Sequence, residues 1–386
     1  MGVFLSDIAA AFDRVDRELL LRKLAGTGLN KTLLDFLADY LRPRLAEVVV
    51  NGAASRQLEL SDMVFQGTVL GPSLWNVFFA DVHEAAEAAG GTETKFADDL
   101  SVYKTFALQT ANEEVRDDLK KSQASVHKWG ELNRVTFDAA KEHFCVLHPT
   151  EGEGADFRLL GPVFDCKLTM DSAVAKVVQK ARGKLAALLR TQRFYSTEEL
   201  VAQFKTHVLS VLESCQGAVY HASATTLEPL DRVRNSFVRE VGLDSRTAFV
   251  QHNLAPTELR RDVAMLGFLH KVALGTAHPY TQNLFPPAPK EQNPHQRTRL
   301  SQRRHNLQLQ DRVLYFTQRP LEVLKRSVFA LVKVYNLLPP AWVTGDVTHL
   351  QKCLTAAARR ACADGADDWE TLFSPRKTLR CNLWCY

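Results

Sequence analysis

The sequence predicts an α+β protein, and three patterns carry that expectation. Short apolar runs of strand length alternate with amphipathic stretches up to about residue 168. An Asn-Gly pair at 51–52 joins two of those runs. From about residue 172 the pattern changes to long helical repeats. With 386 residues, 46% hydrophobic and 24% charged, the chain has the composition of a folded protein, which excludes disorder, collagen-like repeats and coiled-coil fibres. The length suits two or three domains, each able to bury a core. A net charge of +4 is too small to establish a nucleic-acid partner, so its distribution matters more. Seven cysteines without disulfide-like spacing read as reduced thiols, which predicts an intracellular protein of nucleus or cytoplasm. No apolar run reaches the roughly 18–20 residues of a membrane span, and residues 1–7 lack a signal peptide's basic flank. Met1-Gly2-Val3-Phe4-Leu5-Ser6 fits the loose myristoylation pattern but reads better as a buried strand.

Val3-Phe4-Leu5 predicts a first strand ending at Ser6-Asp7. Leu19, Leu20 and Leu24 then mark a helix closed by Gly26 and Gly28. Asn30 is placed to cap a second helix carrying Leu33, Leu34, Leu37 and Leu41, stopped by Pro43. Runs 46–50 and 57–60 predict a hairpin around Asn51-Gly52. Residues 74–89 read as one apolar helix ended by Gly90-Gly91, and 95–104 as a second hairpin with acids at its tip. A helix over 111–133 and strands over 136–147 and 158–164 follow. Helical patterns run from 172 to about 284, a Pro-rich break at 286–289 opens a polar linker, and further helices lie within 311–364.

Chemistry concentrates on three aspartates. Asp7 ends the first strand, and Asp98-Asp99 sit at a hairpin about 90 residues later among Phe96, Ala97, Leu100 and Val102. Bringing them together costs on the order of 4 kcal/mol per pair at about 4 Å and an effective dielectric near 20. A divalent cation among the oxygens offsets that repulsion, and hard carboxylates suit Mg²⁺. Taken alone, the acids also fit a blander arrangement, with Asp7 capping the next helix and Asp98-Asp99 solvated in a turn.

Their surroundings favour the first arrangement. Asp7-Ile8-Ala9-Ala10-Ala11-Phe12-Asp13, then Phe65-Gln66-Gly67-Thr68-Val69-Leu70-Gly71-Pro72, then Phe96-Ala97-Asp98-Asp99 stand in a fixed order. This series resembles the reverse transcriptases of non-LTR (LINE-type, jockey-like) retrotransposons. The resemblance implies a right-hand polymerase palm of antiparallel sheet and packed helices, then a helical thumb and a small helical C-terminal region. It implies that Asp7, Asp98 and Asp99 are catalytic and hold two Mg²⁺ (or Mn²⁺) ions, with Asp13 outside that set. Ile8, Phe12, Gln66, Gly67, Phe96 and Ala97 then face the nucleotide, and Phe12 stands where the family keeps a bulky sugar gate, though it also reads as a core aromatic. The Pro usual before that Gln is Phe65 here.

Downstream, Trp129-Gly130-Glu131-Leu132-Asn133 through Lys141 is similar to the next family motif, whose Lys acts as general acid on pyrophosphate; the usual Asn-Pro-x-Lys reads Asp138-Ala139-Ala140-Lys141. Leu160-Gly161-Pro162-Val163-Phe164-Asp165 resembles the hairpin that grips the primer backbone, which makes Gly161 a nucleic-acid contact. Between 172 and 197 the sequence holds Lys176, Lys180, Arg182, Lys184, Arg190 and Arg193 and no acid. Lys176, Lys180 and Lys184 share one helical face, a stripe suited either to tracking phosphates or to plain solvation. Arg297, Arg299, Arg303 and Arg304 make a second basic group, able to contact template or merely keep the linker soluble. His221, His252, His270 and His278 lack metal-like spacing, and Cys381 and Cys385 lack the second ligand pair of a zinc site.

The expected division is a reverse transcriptase palm at 1–168, a thumb at 169–285, a basic Pro-rich linker at 286–310 and a C-terminal helical region at 311–386. Only six residues precede Asp7, so the fingers are expected to be largely missing and the chain to be an N-terminally truncated copy. The predicted activity is RNA-directed DNA polymerisation, impaired in such a fragment, with RNA template, DNA primer and deoxynucleoside triphosphates as partners and no membrane. The alternative is a catalytically inactive nucleic-acid-binding remnant.

Overall fold

The computed structural model describes residues 1–61, 63–148, 150–289, 305–315 and 322–376. Its chain falls into two compact units, Met1–Phe157 with Asp165–Leu168, and Arg158–Phe164 with Thr169–Tyr386. The first mixes helices with antiparallel sheet, and the second is mainly helical.

The first unit is built on a four-stranded antiparallel sheet in the order β6-β7-β1-β8, formed by β1 (Gly2–Asp7), β6 (Thr92–Phe96), β7 (Asp99–Lys104) and β8 (His143–Val146). Strand β1 runs between β7 and β8, and its residues 2–6 are continuously buried rather than alternating, as in a strand covered on both faces. Gly2 is needed there, because a Cβ would lie 2.8 Å from the Val115 side chain of α5 (Asn112–Asn133). Helix α2 (Lys31–Tyr40) starts as expected, with Asn30 accepting from Leu33 N, and α1 (Arg17–Gly26) starts at Asp16, which accepts from Leu19 N, a cap not singled out in the sequence.

Three expected elements differ. The Asn-Gly turn forms, with both residues left-handed (φ 50 and 82), but its ladder is split. Strand β3 (Val49–Val50) pairs with β4 (Ala53–Ala54) at the tip, and β2 (Arg44–Ala46) with β5 (Leu58–Leu60) below. The single helix expected over 74–89 is two, α3 (Gly71–Phe78) and α4 (Val82–Ala88). Tertiary bonds override the local preference there, because the Asp81 carboxylate between the helices accepts from Lys23 Nζ (2.8 Å) and Trp129 Nε1 (3.0 Å). The run 158–164 is not one strand either. It bends between β9 (Phe157–Arg158) and β10 (Val163–Phe164) at Leu160 (φ 49) and Gly161 (φ 108), closed by Leu159 N donating to Pro162 O. The run 136–147 is strand only at β8, since 138–141 forms a turn.

In the second unit α6 (Asp171–Arg190) buries Ala173, Val174, Val178, Ala181, Leu185 and Leu188 and joins one core with the helix Ala224–Glu240. A neighbouring core packs the helix Thr257–Ala273 with Val328–Asn336 and Val347–Ala363, so helices from either side of the Pro-rich segment share one apolar interior. The described ends of the expected linker are tied together, Ala288 N donating to Gln308 O and Gln310 N to Pro286 O. Arg297, Arg299, Arg303, Arg304, Cys381 and Cys385 lie outside the described residues. His270 is a core residue, its ring nitrogens bonded to Tyr335 Oη and Gly345 O. Among the described residues no helix is long and apolar enough to cross a membrane.

One buried acid makes a stability prediction. Asp262 is 3% exposed, receives the Tyr220 hydroxyl at 2.6 Å and leaves Oδ2 without a partner. Burial, reinforced by Glu258, pushes its carboxyl up to about 7. A carboxyl with a raised folded-state pKa contributes stability that is fully present below its unfolded value, near 4, and is lost as pH rises through 7. Thermal denaturation is therefore expected to show a fall in Tm between pH 5 and pH 8 that Asp262→Asn flattens, an effect of up to about 4 kcal/mol. An unchanged pH slope in that variant would refute the assignment.

Candidate active site

The antiparallel register of β1 and β7 sets Asp7 directly opposite Asp99. Asp98 precedes Asp99 in the tight turn after β6, where Ala97 adopts a left-handed conformation (φ 55) that alanine ordinarily avoids. A tryptophan holds that turn. Trp75, 1% exposed on α3, donates from Nε1 to Ala97 O at 2.8 Å, and its ring stacks on Phe12 at 5.6 Å between centroids. Burial, then the Asp7 charge, raises the Asp98 carboxyl above the usual carboxylate range. Asp99 is raised by burial and by repulsion from Asp7 and Asp98. The sequence thus gathers three acids where their charges oppose one another.

Lys141 answers part of that charge. Its Nζ pairs with Asp7 Oδ2, and this hydrogen bond and charge raise the lysine above its ordinary value. The lead-in that departs from the family motif still makes a turn, with Ala140 N donating to Asp138 Oδ1 and Lys141 N to Asp138 O. Backbone bonds lock the turn to β1, since Asp138 N donates to Asp7 O at 2.9 Å and Ala9 N to Thr136 O. Behind it lies a cluster that sequence reasoning missed. Glu142 accepts from Ser6 Oγ (3.0 Å) and Gln123 Nε2 (2.6 Å), and pairs with His127 Nε2 (2.6 Å), whose ring stacks on Phe137. The available signal was a second acid, after Asp138, within a run read as strand.

The nucleotide-facing residues divide. Phe12 is half-buried against Trp75, and its carbonyl accepts from Val64 N at 2.8 Å, which ties the Gln66-Gly67 loop to the Asp7 segment. Gln66 is exposed, and Gly67 has φ +78 with open space on its Cβ side, so backbone conformation rather than crowding requires glycine there. Phe65, where the family has Pro, packs edge-on to Tyr40, and the Arg44 guanidinium lies 3.9 Å over its ring. Ile8 is buried in the core, whereas Phe96 is 65% exposed beside the acids. In the second unit Lys176, Lys180 and Lys184 line the exposed side of α6 with no carboxylate partner among the described residues, and Gly161 stands exposed at its turn.

Asp7 Oδ1 is buried and has no hydrogen-bond partner, while Oδ2 already holds a cationic group. An orphaned carboxylate oxygen beside two desolvated acids fits a hard divalent cation. Among the described residues, however, no group of three or more His, Cys, Asp or Glu side chains is gathered closely enough to form a metal site, and the ammonium of Lys141 stands against the central acid.

Comparison with known proteins points to a class: residues 2–177 match the reverse transcriptase (RNA-dependent DNA polymerase) family. More narrowly, the matched stretch is similar to the RNA-directed DNA polymerases of jockey-like, non-LTR mobile elements, in line with the resemblance its motifs carry. It is 27% identical over 198 residues to the RNA-directed DNA polymerase from mobile element jockey of Drosophila funebris, covering 47% of this chain and 21% of that one. The Drosophila melanogaster counterpart is 28% identical over 204 residues, covering 49% and 22%. The chain therefore spans about a fifth of the length of these relatives. A solved telomerase from Candida albicans with a fragment of telomeric RNA aligns over 65% of this chain and 49% of its own at 11% identity, with a TM-score of 0.30, too slight to carry an argument.

Proposed function

We propose that the first unit is a polymerase palm that adds deoxynucleotides to a DNA primer 3′-end on an RNA template, and that α6 begins the thumb. The register that sets Asp7 opposite Asp99, with Asp98 in the adjoining turn, carries this reading. Asp7, Asp98 and Asp99 would hold two Mg²⁺ (or Mn²⁺) ions. When bound, such ions lower the pKa of the attacking hydroxyl and neutralise charge on the leaving pyrophosphate. Phe12, propped on Trp75, would screen the sugar, with Gln66 and Gly67 beside it. Lys141 Nζ carries the proton it would hand to pyrophosphate. The basic face of α6, together with the Gly161 turn, would follow phosphates without reading sequence. On this reading the chain works in nucleus or cytoplasm, where its templates are.

Lys141→Gln is expected to lower incorporation by about 10²–10⁴-fold, the usual contribution of a positioned general acid. The same variant should gain more thermal stability from added Mg²⁺ than the parent, because no ammonium competes for Asp7 Oδ2. Primer extension on RNA and Mg²⁺-dependent melting read the two effects, and parental extension in the variant would remove Lys141 from the mechanism. The unpartnered cations of α6 favour one second reading, a binding chain without turnover. Salt-sensitive RNA binding with no incorporation under any metal would select it.

A further inference from the structure

We infer that the helical unit contains a second anion site, a pocket for the phosphate group of a nucleic-acid strand or small phosphate compound, beside the helix break at Lys205. The helix Thr197–Phe204 passes there into a π-helical turn, Lys205–Leu209, a distortion that often accompanies ligand sites. Next to it lies a cavity of about 230 Å³ whose wall includes Gln216, Phe249, Asn253, Arg260, Ala264 and Gln351. That is far more than the roughly 10–15 Å³ one water needs.

The charged groups at the cavity are mostly cations: Arg260 is on its wall, while Lys205 and Arg359 stand outside the lining, bonded to His252 O and to Asn253. Lys205 Nζ donates to the carbonyl of His252, and no carboxylate among the described residues pairs with it. Arg359 Nη2 donates to Asn253 Oδ1 at 2.7 Å, its guanidinium stands 5.8 Å over the Phe249 ring, and its Nε is buried without a partner. Gln216 Nε2, on the wall itself, is a second buried donor with nothing to bind. Asn253, held left-handed at φ 52, brings its side chain to Arg359. Glu213 is the one acid in the lining and is engaged by Arg260.

Burial and the like charges of Arg260 and Arg359 hold the Lys205 ammonium below its usual value. Three cations around one acid, itself paired with Arg260, call for a ligand that brings several acceptor oxygens and negative charge. Phosphate does both. A neutral acceptor would leave the cations repelling one another.

Thermal denaturation and fluorescence anisotropy of the whole chain, with chelator present and ionic strength matched by NaCl, would test this. The probes are inorganic pyrophosphate and a labelled 20-nucleotide oligo(dT). Pyrophosphate should raise Tm beyond the chloride control, and Arg359→Gln should weaken its binding at least about tenfold. Ala264→Leu, which fills the cavity and keeps every charge, should do the same without lowering the ligand-free Tm by more than a few degrees. If Ala264→Leu also weakens oligo(dT) and pyrophosphate displaces it, the phosphate belongs to a strand. If oligo(dT) binding is untouched while pyrophosphate binding is lost, the ligand is a small phosphate compound. Either result supports the site. No pyrophosphate effect beyond chloride, or one retained in full by Ala264→Leu, overturns it.

Discussion

Replacing Asp98 by Asn is expected to abolish nucleotide incorporation while leaving the fold as stable as the parent or more so. The two halves have one cause. Asp98 is disfavoured in its ionised form by burial and by Asp7, so the folded chain at neutral pH carries an electrostatic penalty that a neutral amide of the same shape removes. The side chain is partly exposed, so solvent reduces that penalty and the gain in Tm should be small. The loss of function should be large. A carboxylate that holds catalytic metal supplies several kcal/mol of transition-state stabilisation. Its removal should lower extension of a primer on RNA by at least about 10³-fold, roughly 4 kcal/mol at 1.36 kcal/mol per decade. Asp7→Asn makes the useful contrast. It also removes the partner of Lys141 and should lose activity without the gain in stability. Incorporation that survived in an Asp98→Asn/Asp99→Asn chain would dismiss the carboxylates, and a marked fall in Tm for Asp98→Asn would dismiss the repulsion argument.

Those acids were legible in the sequence because their signal is local. A strand ending in Asp and a hairpin tipped by Asp-Asp are each visible within ten residues, and their order supplied the rest. Capping by Asn30 and the Asn51-Gly52 turn were readable for the same reason. What supports the acids was hidden, since it depends on partners far apart in the chain. Glu142 meets Ser6 across 136 residues, and Asp81 breaks a continuous apolar helix because Lys23 and Trp129 converge on it. No periodicity of 74–89 announces that break. The same holds for the helix Val347–Ala363, whose sequence places it in a C-terminal helical region and does not announce the core it shares with the helix Thr257–Ala273.

Trp75 is the residue whose importance was least visible, and changing it should produce the second largest effect. In the sequence it is one apolar residue among Leu74, Val77, Phe78 and Phe79; in the fold it joins the core, Phe12 and the turn presenting Asp98. Trp75→Ala should destabilise the first unit by about 3–5 kcal/mol, the usual result of emptying a large buried aromatic site. Trp75→Phe is more informative. It keeps most of the ring but removes the donor to Ala97 O, a loss of about 0.5–1.5 kcal/mol, since Ala97 is exposed and water can take the donor's place. The left-handed backbone of Ala97 costs about 1–2 kcal/mol, so without that bond the turn should relax and carry Asp98 away from Asp7. Incorporation is expected to fall about 10–100-fold, since catalysis is sensitive to displacements near 1 Å. Adding Ala97→Gly should restore much of it, because glycine holds a left-handed turn without help. The same glycine in the parent should change little. If it fails to rescue Trp75→Phe, the indole acts through packing alone and not through the turn that carries the acids.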